Sequence, residues 1–259
     1  MQARQVLSVM ALTHAIVIPA WAATSESCQL KLAMEQWPPY LYSKPNSPPS
    51  GLDWELAQAI VKEAGCRLQL LPELPTARRQ RQFEQGGIDL LLAASDTAER
   101  RKYARFSIAY RYETVSVFAP TGKLAGYRGI GSLDALARNK LPLLAPKMGW
   151  YGKAYARVRP ELAQSGLLST FLSFQQGVRM LEAGRADLIL GDTAALRHEA
   201  REQGLAISAL PFTVLRAPVH LMLNKDSTTQ AQLALLNGAI QRLERQGVLS
   251  EIRGRYGES

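Results

Sequence analysis

The chain has 259 residues, of which 47% are hydrophobic and 20% are charged, and its formal net charge is +9. This composition is typical of a folded protein and excludes disordered, collagen-like and low-complexity chains. Two cysteines and three histidines are too few for a disulfide-rich scaffold, a four-cysteine zinc site or a histidine-rich metal centre. The length corresponds to one large domain or two small ones, and we predict no metal and no other cofactor.

The amino terminus has the pattern of a secretory signal peptide. Arg4 supplies a positive charge, residues 6–18 are mostly apolar, and Ala20-Trp21-Ala22 fits the small-x-small rule for cleavage. The alternative is a membrane anchor, but the apolar run is shorter than the roughly 20 residues that span a bilayer. We therefore predict that residues 1–22 are removed on export.

Each cysteine precedes a strand-like segment. Cys28 precedes residues 29–34, Cys66 precedes residues 67–71, and a helical pattern lies between them. A strand–helix–strand unit has parallel strands, which brings both cysteines to the same end of the sheet. In an oxidising compartment this predicts a Cys28–Cys66 disulfide worth roughly 4 kcal/mol; the alternative is a pair of buried thiols.

The following residues alternate between strand and helix patterns. A helix begins at Gly51-Leu52-Asp53, with Asp53 as its expected N-cap, and ends at Gly65. The next predicted segments are a helix (76–85), a buried strand (88–94), a polar loop (96–105) and a strand (114–118). This alternation predicts the α/β class.

A second series of the same kind follows. Ser132 and Ser173 are expected to cap helices, and Gly184 and Gly204 to end them. The predicted strands are 141–145, 186–190, 205–210 and 219–223, and the predicted helices are 133–139, 153–158, 174–183, 193–203, 230–245 and 249–256.

A short segment occurs twice, 98 positions apart. Residues 84–92 and 182–190 share a Glu, a Gly, an Asp and two leucines, and each reads as a helix end, a glycine turn and a buried strand. Because each copy lies within one of the two series, the repeat predicts two similar α/β lobes, each with its own sheet.

In open α/β sheets, ligands bind beyond the carboxyl ends of the strands. The first repeated strand is followed by Ser95, Thr97 and Arg100, and the second by Asp192. Arginine binds a carboxylate through two parallel charge-assisted hydrogen bonds, and aspartate accepts from an ammonium group. This arrangement predicts a zwitterionic ligand; the alternatives are a surface arginine and an aspartate that only caps the following helix.

Several motifs share their order and spacing with a known family. They are Trp37-Pro38-Pro39-Tyr40, Gly51-Leu52-Asp53-Trp54-Glu55-Leu56-Ala57, Gly86-Gly87-Ile88-Asp89-Leu90, Thr97-Ala98-Glu99-Arg100-Arg101-Lys102, Gly184-Arg185-Ala186-Asp187 with Gly191-Asp192, and Gly247-Val248-Leu249. Together they resemble the periplasmic solute-binding proteins of the polar amino acid type, family 3, over residues 30–256.

The resemblance implies the type II periplasmic binding protein fold, in which two Rossmann-like lobes are joined by a two-crossing hinge. Lobe 1 would comprise residues 23–118 and 217–259, lobe 2 residues 119–216, with crossings near 118–122 and 212–217. It also implies a monomeric periplasmic protein that closes on a small polar solute and delivers it to an inner-membrane ABC permease.

The resemblance also assigns site residues by position. Arg100 would bind the carboxylate of the ligand, Asp192 its amino group and Ser95 would offer a hydroxyl, while Trp37 would form an aromatic wall. Tyr151 occupies a position where many members have Ser or Thr. The predicted ligand-binding residues are Trp37, Tyr40, Arg78, Ser95, Arg100, Tyr151 and Asp192, with Glu35 and Thr76 as weaker candidates.

Other function classes are less favoured. The positive charge is spread over both series without a nucleic-acid-binding motif, so we predict no nucleic-acid partner. No Gly-x-Ser-x-Gly motif or metal-ligand spacing is present, and we predict no catalytic residue and no enzymatic activity. The alternatives are a periplasmic sensor that presents its solute to a signalling receptor, and a lyase that resembles cyclohexadienyl dehydratase.

Overall fold

Nine strands and eight helices alternate along residues 28–257, the part of the chain that the computed structural model describes. The strands are β1 (Gln29–Ala33), β2 (Arg67–Leu71), β3 (Leu90–Ala94), β4 (Ala104–Phe106), β5 (Arg111–Pro120), β6 (Leu143–Pro146), β7 (Leu168–Phe171), β8 (Leu188–Asp192) and β9 (Ile207–Asn224). The helices are α1 (Leu52–Glu63), α2 (Thr76–Glu84), α3 (Leu133–Arg138), α4 (Gly152–Gln164), α5 (Phe174–Glu182), α6 (Thr193–Glu202), α7 (Gln230–Arg245) and α8 (Val248–Arg255). The predicted signal peptide, residues 1–22, lies outside the described residues.

The strands form two hydrogen-bonded groups. Strands β1 and β2 pair in parallel, and the other strands follow the order β3-β9-β5-β8-β6-β7, with β4 pairing on β9. The parallel pairs β6–β7 and β6–β8 belong to α/β units, whereas β5 runs antiparallel to both β8 and β9. The α/β class predicted from the alternation is confirmed.

Two hydrophobic cores take residues from opposite ends of β9. The first contains Leu56 and Ile240 of α1 and α7, with a smaller cluster around Phe83. The second contains Leu136 of α3, with a smaller cluster around Phe171. We call the elements around the first core lobe 1 (β1–β4, α1, α2, α7, α8) and those around the second lobe 2 (β6–β8, α3–α6). The predicted residue boundaries of the lobes stay a prediction.

The connection between the lobes differs from the expected one. Residues 205–210 and 219–223 were predicted as two strands, but β9 is a single strand of 18 residues. Its beginning pairs with β5, with Ala209 opposite Phe118, and its end pairs with β3, with Leu223 opposite Leu90. The prediction of a separate sheet in each lobe is therefore wrong: because β5 and β9 pair with each other, one hydrogen-bonded path runs through both lobes.

Most of the helix caps and helix-ending glycines lie where they were predicted. Ser132 and Ser173 cap α3 and α5, since each hydroxyl accepts a hydrogen bond from a backbone N–H of the first turn, at 3.1 and 3.2 Å. Gly86 and Gly184 end the two repeated helices with φ angles of 74° and 68°, a conformation that favours glycine. The short edge strand β7 was not predicted, and α4 extends beyond the predicted 153–158 to Gln164.

A disulfide joins Cys28 and Cys66, whose Cα atoms lie 4.5 Å apart. The parallel register places Gln29 opposite Arg67, so the two preceding cysteines meet at the same end of β1 and β2. The predicted disulfide is confirmed. Within residues 28–257, no helix combines the length and the apolar character that crossing a bilayer requires.

Candidate ligand-binding site

The two lobes meet at Asp192, the last residue of β8. Asp192 is 2% exposed, and its Oδ1 accepts a hydrogen bond of 2.8 Å from the hydroxyl of Tyr40, in the loop after β1. The same oxygen accepts from the N–H of Ala195 at 2.8 Å, so Asp192 caps α6, which was the alternative role considered for it. The contact with Tyr40 therefore connects lobe 1 directly to the first turn of α6 in lobe 2.

The second oxygen of Asp192 is left unsatisfied. Oδ2 is buried, and no group within residues 28–257 donates a hydrogen bond to it. Burial raises the pKa of Asp192, while the Ala195 N–H, Arg111 and Tyr40 act in the opposite direction. A buried carboxylate oxygen without a donor is unfavourable, and a ligand with an N–H group would remove that penalty.

Arg100 lies on a single turn of 3-10 helix after β3 and is half-buried. Its Nη1 donates to the backbone carbonyl of Ser95 at 3.0 Å, and no carboxylate among the described residues pairs with it. The neighbouring Arg101, in contrast, forms a bidentate pair with Asp96 at 2.6 Å. Of these two arginines, Arg100 therefore retains donors for an anionic group.

Aromatic side chains border the same region. The rings of Trp37 and Tyr40 lie 4.6 Å apart, and the Nε1 of Trp37 is buried without a hydrogen-bond partner in the described part of the chain. Tyr151, in the position just before α4, packs against Tyr155. Burial and the carboxylates of Glu113 and Asp192 raise the pKa of Tyr151, so its hydroxyl stays protonated.

Two of the candidate residues form no hydrogen bond or ion pair with the other candidates in the described part of the chain. Arg78 and Thr76 are exposed on α2. Arg79, the next residue along the helix, turns inward and forms an ion pair with Glu35. Because successive helical residues point in directions about 100° apart, only one of two adjacent arginines can reach Glu35.

The sequence analysis did not predict a buried ion pair that lies over the ring of Tyr40. Asp53 was expected to cap α1, but Gly51 occupies the N-cap position and no side chain caps this helix. Arg111 instead donates Nε and Nη2 to the two oxygens of Asp53 at 2.7 and 2.8 Å. Its guanidinium also lies 4.1 Å from the centre of the Tyr40 ring. The pair therefore supports the residue that contacts Asp192.

Glu113 of β5 is the second residue that the sequence did not reveal. It is 8% exposed, and no hydrogen bond or ion pair within residues 28–257 involves its carboxylate. Burial raises its pKa to about 7; Asp192 acts in the same direction and Arg111 opposes it. No sequence signal marks Glu113, because glutamate usually faces solvent and its burial depends on strand pairing.

A groove of about 840 Å³ is lined by Tyr40, Arg111 and Asp192, but not by Glu113 or Arg100. Its wall includes Tyr112 and Thr114, which alternate with Glu113 along the strand, and Arg197, Arg201 and Arg216. Within residues 28–257, no group of His, Cys, Asp and Glu side chains has an arrangement that would hold a metal ion. The candidate site is thus a set of charged and aromatic side chains suited to holding a charged organic molecule.

The profile of the bacterial extracellular solute-binding proteins, family 3, matches residues 30–259. The chain belongs to this family. The resemblance read from the motifs is therefore confirmed, and this family 3 protein has relatives that are extracellular proteins of bacteria.

Solved structures of similar fold are mostly described as binding proteins. An ancestral arginine-binding protein bound to arginine is 21% identical, with a TM-score of 0.72, over 88% of this chain and 97% of that chain. An amino acid ABC transporter substrate-binding protein from Streptococcus pneumoniae bound to L-arginine is 21% identical, with a TM-score of 0.72, over 88% and 94%. These similarities confirm the type II periplasmic binding protein fold.

Proteins of other function share this architecture. A histidine kinase sensor domain with similarity to periplasmic binding proteins is 17% identical, with a TM-score of 0.72, over 89% of this chain and 96% of that chain. A membrane-bound lytic murein transglycosylase F of Photobacterium profundum is 25% identical over 215 residues, which are 82% of this chain. The match spans only 40% of the length of that transglycosylase.

Proposed function

We propose that this family 3 protein captures an amino acid or a related zwitterion in the periplasm and delivers it to an ABC permease of the inner membrane. The observation that carries the proposal is Oδ2 of Asp192, a buried carboxylate oxygen without a donor at the carboxyl end of β8. An ammonium group is the ligand chemistry that satisfies this oxygen at the lowest cost, because it brings both charge and hydrogen bonds.

The opposite end of the solute would be bound from lobe 1. Arg100 has donors that are not engaged by any carboxylate among the described residues, and it lies beyond the end of β3. A ligand carboxylate would pair with this guanidinium beside Ser95, while Trp37 and Tyr151 would exclude water from the solute. Because the two charged residues belong to different lobes, the solute would interact fully with both only when the lobes are close together.

The proposal is tested by calorimetry on variants, using the amino acid that gives the largest thermal shift in a screen. Removing one partner of a desolvated charge pair costs about 2–5 kcal/mol, which corresponds to a loss of affinity of at least about 30-fold. Arg100→Ala and Asp192→Asn are each expected to show such a loss. The asparagine retains an oxygen that can cap α6, so the variant isolates the charge.

Arg101→Ala is the matched control, since its side chain is 68% exposed and pairs with Asp96. It is expected to change affinity by less than about 1 kcal/mol. If no amino acid raises the melting temperature, or if Arg100→Ala binds within twofold of the unmodified protein, the proposed role in amino acid capture is wrong.

The second candidate function is a sensor that presents its solute to a signalling receptor, supported by the similarity to the histidine kinase sensor domain. Deletion of the gene distinguishes the two. A transport protein is required for uptake of the radiolabelled solute, whereas a sensor is required for a transcriptional response while uptake continues. Conversion of the solute during incubation, followed by mass spectrometry, would instead indicate a lyase.

A further inference from the structure

Glu113 is a buried carboxylate for which the fold supplies no partner. It is 8% exposed and takes part in no hydrogen bond or ion pair within residues 28–257. By contrast, the neighbouring acid Asp53 receives two hydrogen bonds from Arg111 at 2.7 and 2.8 Å. A buried charge without a partner is strongly unfavourable. Unlike Oδ2 of Asp192, the oxygens of Glu113 keep some contact with solvent, so a cationic group that enters from the solvent side can pair with them.

Strand register places Glu113 on the same face of the sheet as Asp192. Val115 of β5 lies directly opposite Asp192 of β8. Glu113 precedes Val115 by two residues, so it points to the same face of the sheet. Diagonal neighbours on one face of an antiparallel pair lie about 7–8 Å apart. Burial, together with the charges of both acids, raises the pKa of Tyr151.

The charged groups around Glu113 come from four elements. Arg111 on β5, Asp53 on α1, Asp192 on β8 and Arg100 after β3 all influence its ionisation. Asp53 and Arg111 neutralise each other through their bidentate pair. Of the described groups that influence Glu113, Arg100 is then the one cation without a carboxylate partner, whereas Glu113 and Asp192 are two acids. The site therefore has an excess of one negative charge when both acids are ionised.

We propose that Glu113 binds a second cationic group of the solute, so that the site selects a molecule with one carboxylate and two cationic groups. This inference rests on the proposed function, because Asp192 and Arg100 are assigned to the first cation and the carboxylate. The second cation is an amine or a guanidinium at the end of the solute's side chain. With such a solute bound, the charges of the site and the ligand cancel.

The arrangement makes binding depend on pH. Burial, reinforced by Asp192, raises the pKa of Glu113 to about 7. A bound cation favours the ionised carboxylate, so below about pH 7 a dibasic solute must displace a proton from Glu113. From pH 8 to pH 6, affinity for that solute is expected to fall by about tenfold. Titration of Asp192 affects every amino acid through its amino group, so the loss specific to Glu113 is the difference between dibasic and neutral solutes.

The test uses matched probes that differ in one charge. L-arginine is compared with L-citrulline, which has nearly the same shape without the guanidinium charge, and L-ornithine and L-lysine extend the range of lengths. Affinities are measured by calorimetry at pH 8 for the unmodified protein and for Glu113→Gln. Glu161→Gln, an exposed glutamate on α4, controls for the change in net charge.

The expected result is a preference of at least about 30-fold for one dibasic probe over L-citrulline, retained in Glu161→Gln and reduced below about threefold in Glu113→Gln. If Glu113→Gln does not fold, the pH dependence of the unmodified protein gives the same answer without a variant. Equal or tighter binding of L-citrulline, or a preference that survives Glu113→Gln, overturns the role of Glu113 and leaves amino acid capture intact. Failure of every amino acid to bind overturns both.

Discussion

The two carboxylate oxygens of Asp192 have different environments. Oδ1 accepts two hydrogen bonds of 2.8 Å, from Tyr40 and from the N–H of Ala195. Oδ2 accepts none within residues 28–257. The hydrogen bonds to one oxygen fix the orientation of the whole group, so the other oxygen is held in place before any solute arrives. A group oriented in advance loses less conformational entropy when it binds.

Glu113→Gln should stabilise the ligand-free protein at alkaline pH. The pKa of Glu113 rises from 4.5 to about 7 on folding, so ionisation destabilises the folded state progressively as pH increases from about 4.5 to 7 and fully above that range. At 1.36 kcal/mol per pKa unit, the effect approaches about 3 kcal/mol at pH 8. In urea unfolding at pH 8, the free energy of unfolding of Glu113→Gln should therefore exceed that of the unmodified protein. At pH 5 the difference should fall below about 1 kcal/mol. An equal change at both pH values would contradict the prediction.

Residues at strand ends were easier to select as candidates than the charges inside the fold. Arg100 and Asp192 were chosen because each follows a buried strand, which is a local feature of the sequence. The partner of Asp53 is Arg111, which lies 58 positions further along the chain. Because Asp53 is near the start of a helix, the sequence is equally consistent with a capping role. The environment of Glu113 depends on the pairing of β5 with β8, and such long-range pairing has no local signature.

At the level of elements, helices were predicted best where a full amphipathic pattern and a cap coincide. Helix α7 has the predicted limits, with Thr229 and Gln232 forming a capping box. Strand β9 was read as two strands because Pro211 and Pro218 interrupt the apolar pattern between them. Both prolines lie within the strand, and Pro218 still aligns with Tyr112 of β5. Its continuity comes from pairing along β5, which local patterns do not encode.

The disulfide should contribute measurably to stability because it links the starts of β1 and β2 across 38 positions. The chain-entropy relation gives roughly 4 kcal/mol for a loop of this length. We expect the urea midpoint of the purified protein to fall when dithiothreitol is added. The control is Cys28→Ser combined with Cys66→Ser, whose midpoint should not respond to the reductant. Identical midpoints of the unmodified protein in both conditions would contradict the prediction.

Across the whole molecule, a continuous series of contacts links the lobes. Asp53 on α1 binds Arg111 on β5, whose guanidinium lies over the ring of Tyr40, and the hydroxyl of Tyr40 reaches Asp192. Strands β5 and β9, which pair with each other, connect the two lobes. The Tyr40–Asp192 hydrogen bond lies beside this connection. The relative position of the lobes is therefore sensitive to the Tyr40–Asp192 hydrogen bond.

Tyr40→Phe should shift the ligand-free protein toward a more open arrangement. The substitution removes a hydrogen bond to a charged group, which typically contributes about 1.5–3 kcal/mol, and it leaves the ring stacked under Arg111. Small-angle X-ray scattering should show a larger radius of gyration than that of the unmodified protein. Tyr42→Phe serves as the control, because its ring contacts His198 and no hydrogen bond of its hydroxyl is formed among the described residues. Identical scattering of all three proteins would show that this contact does not hold the lobes together.

The disulfide has a practical consequence for finding the solute. The sequence contains two cysteines, and both are engaged in the Cys28–Cys66 bridge, so an added cysteine would be the one thiol open to a fluorescent label. Arg78 is a suitable position, since it is exposed on α2 beside the Arg79–Glu35 pair. A dye attached through Arg78→Cys would report lobe movement as a change in emission. The labelled protein would then serve as an optical sensor for screening metabolite extracts without knowing the solute in advance.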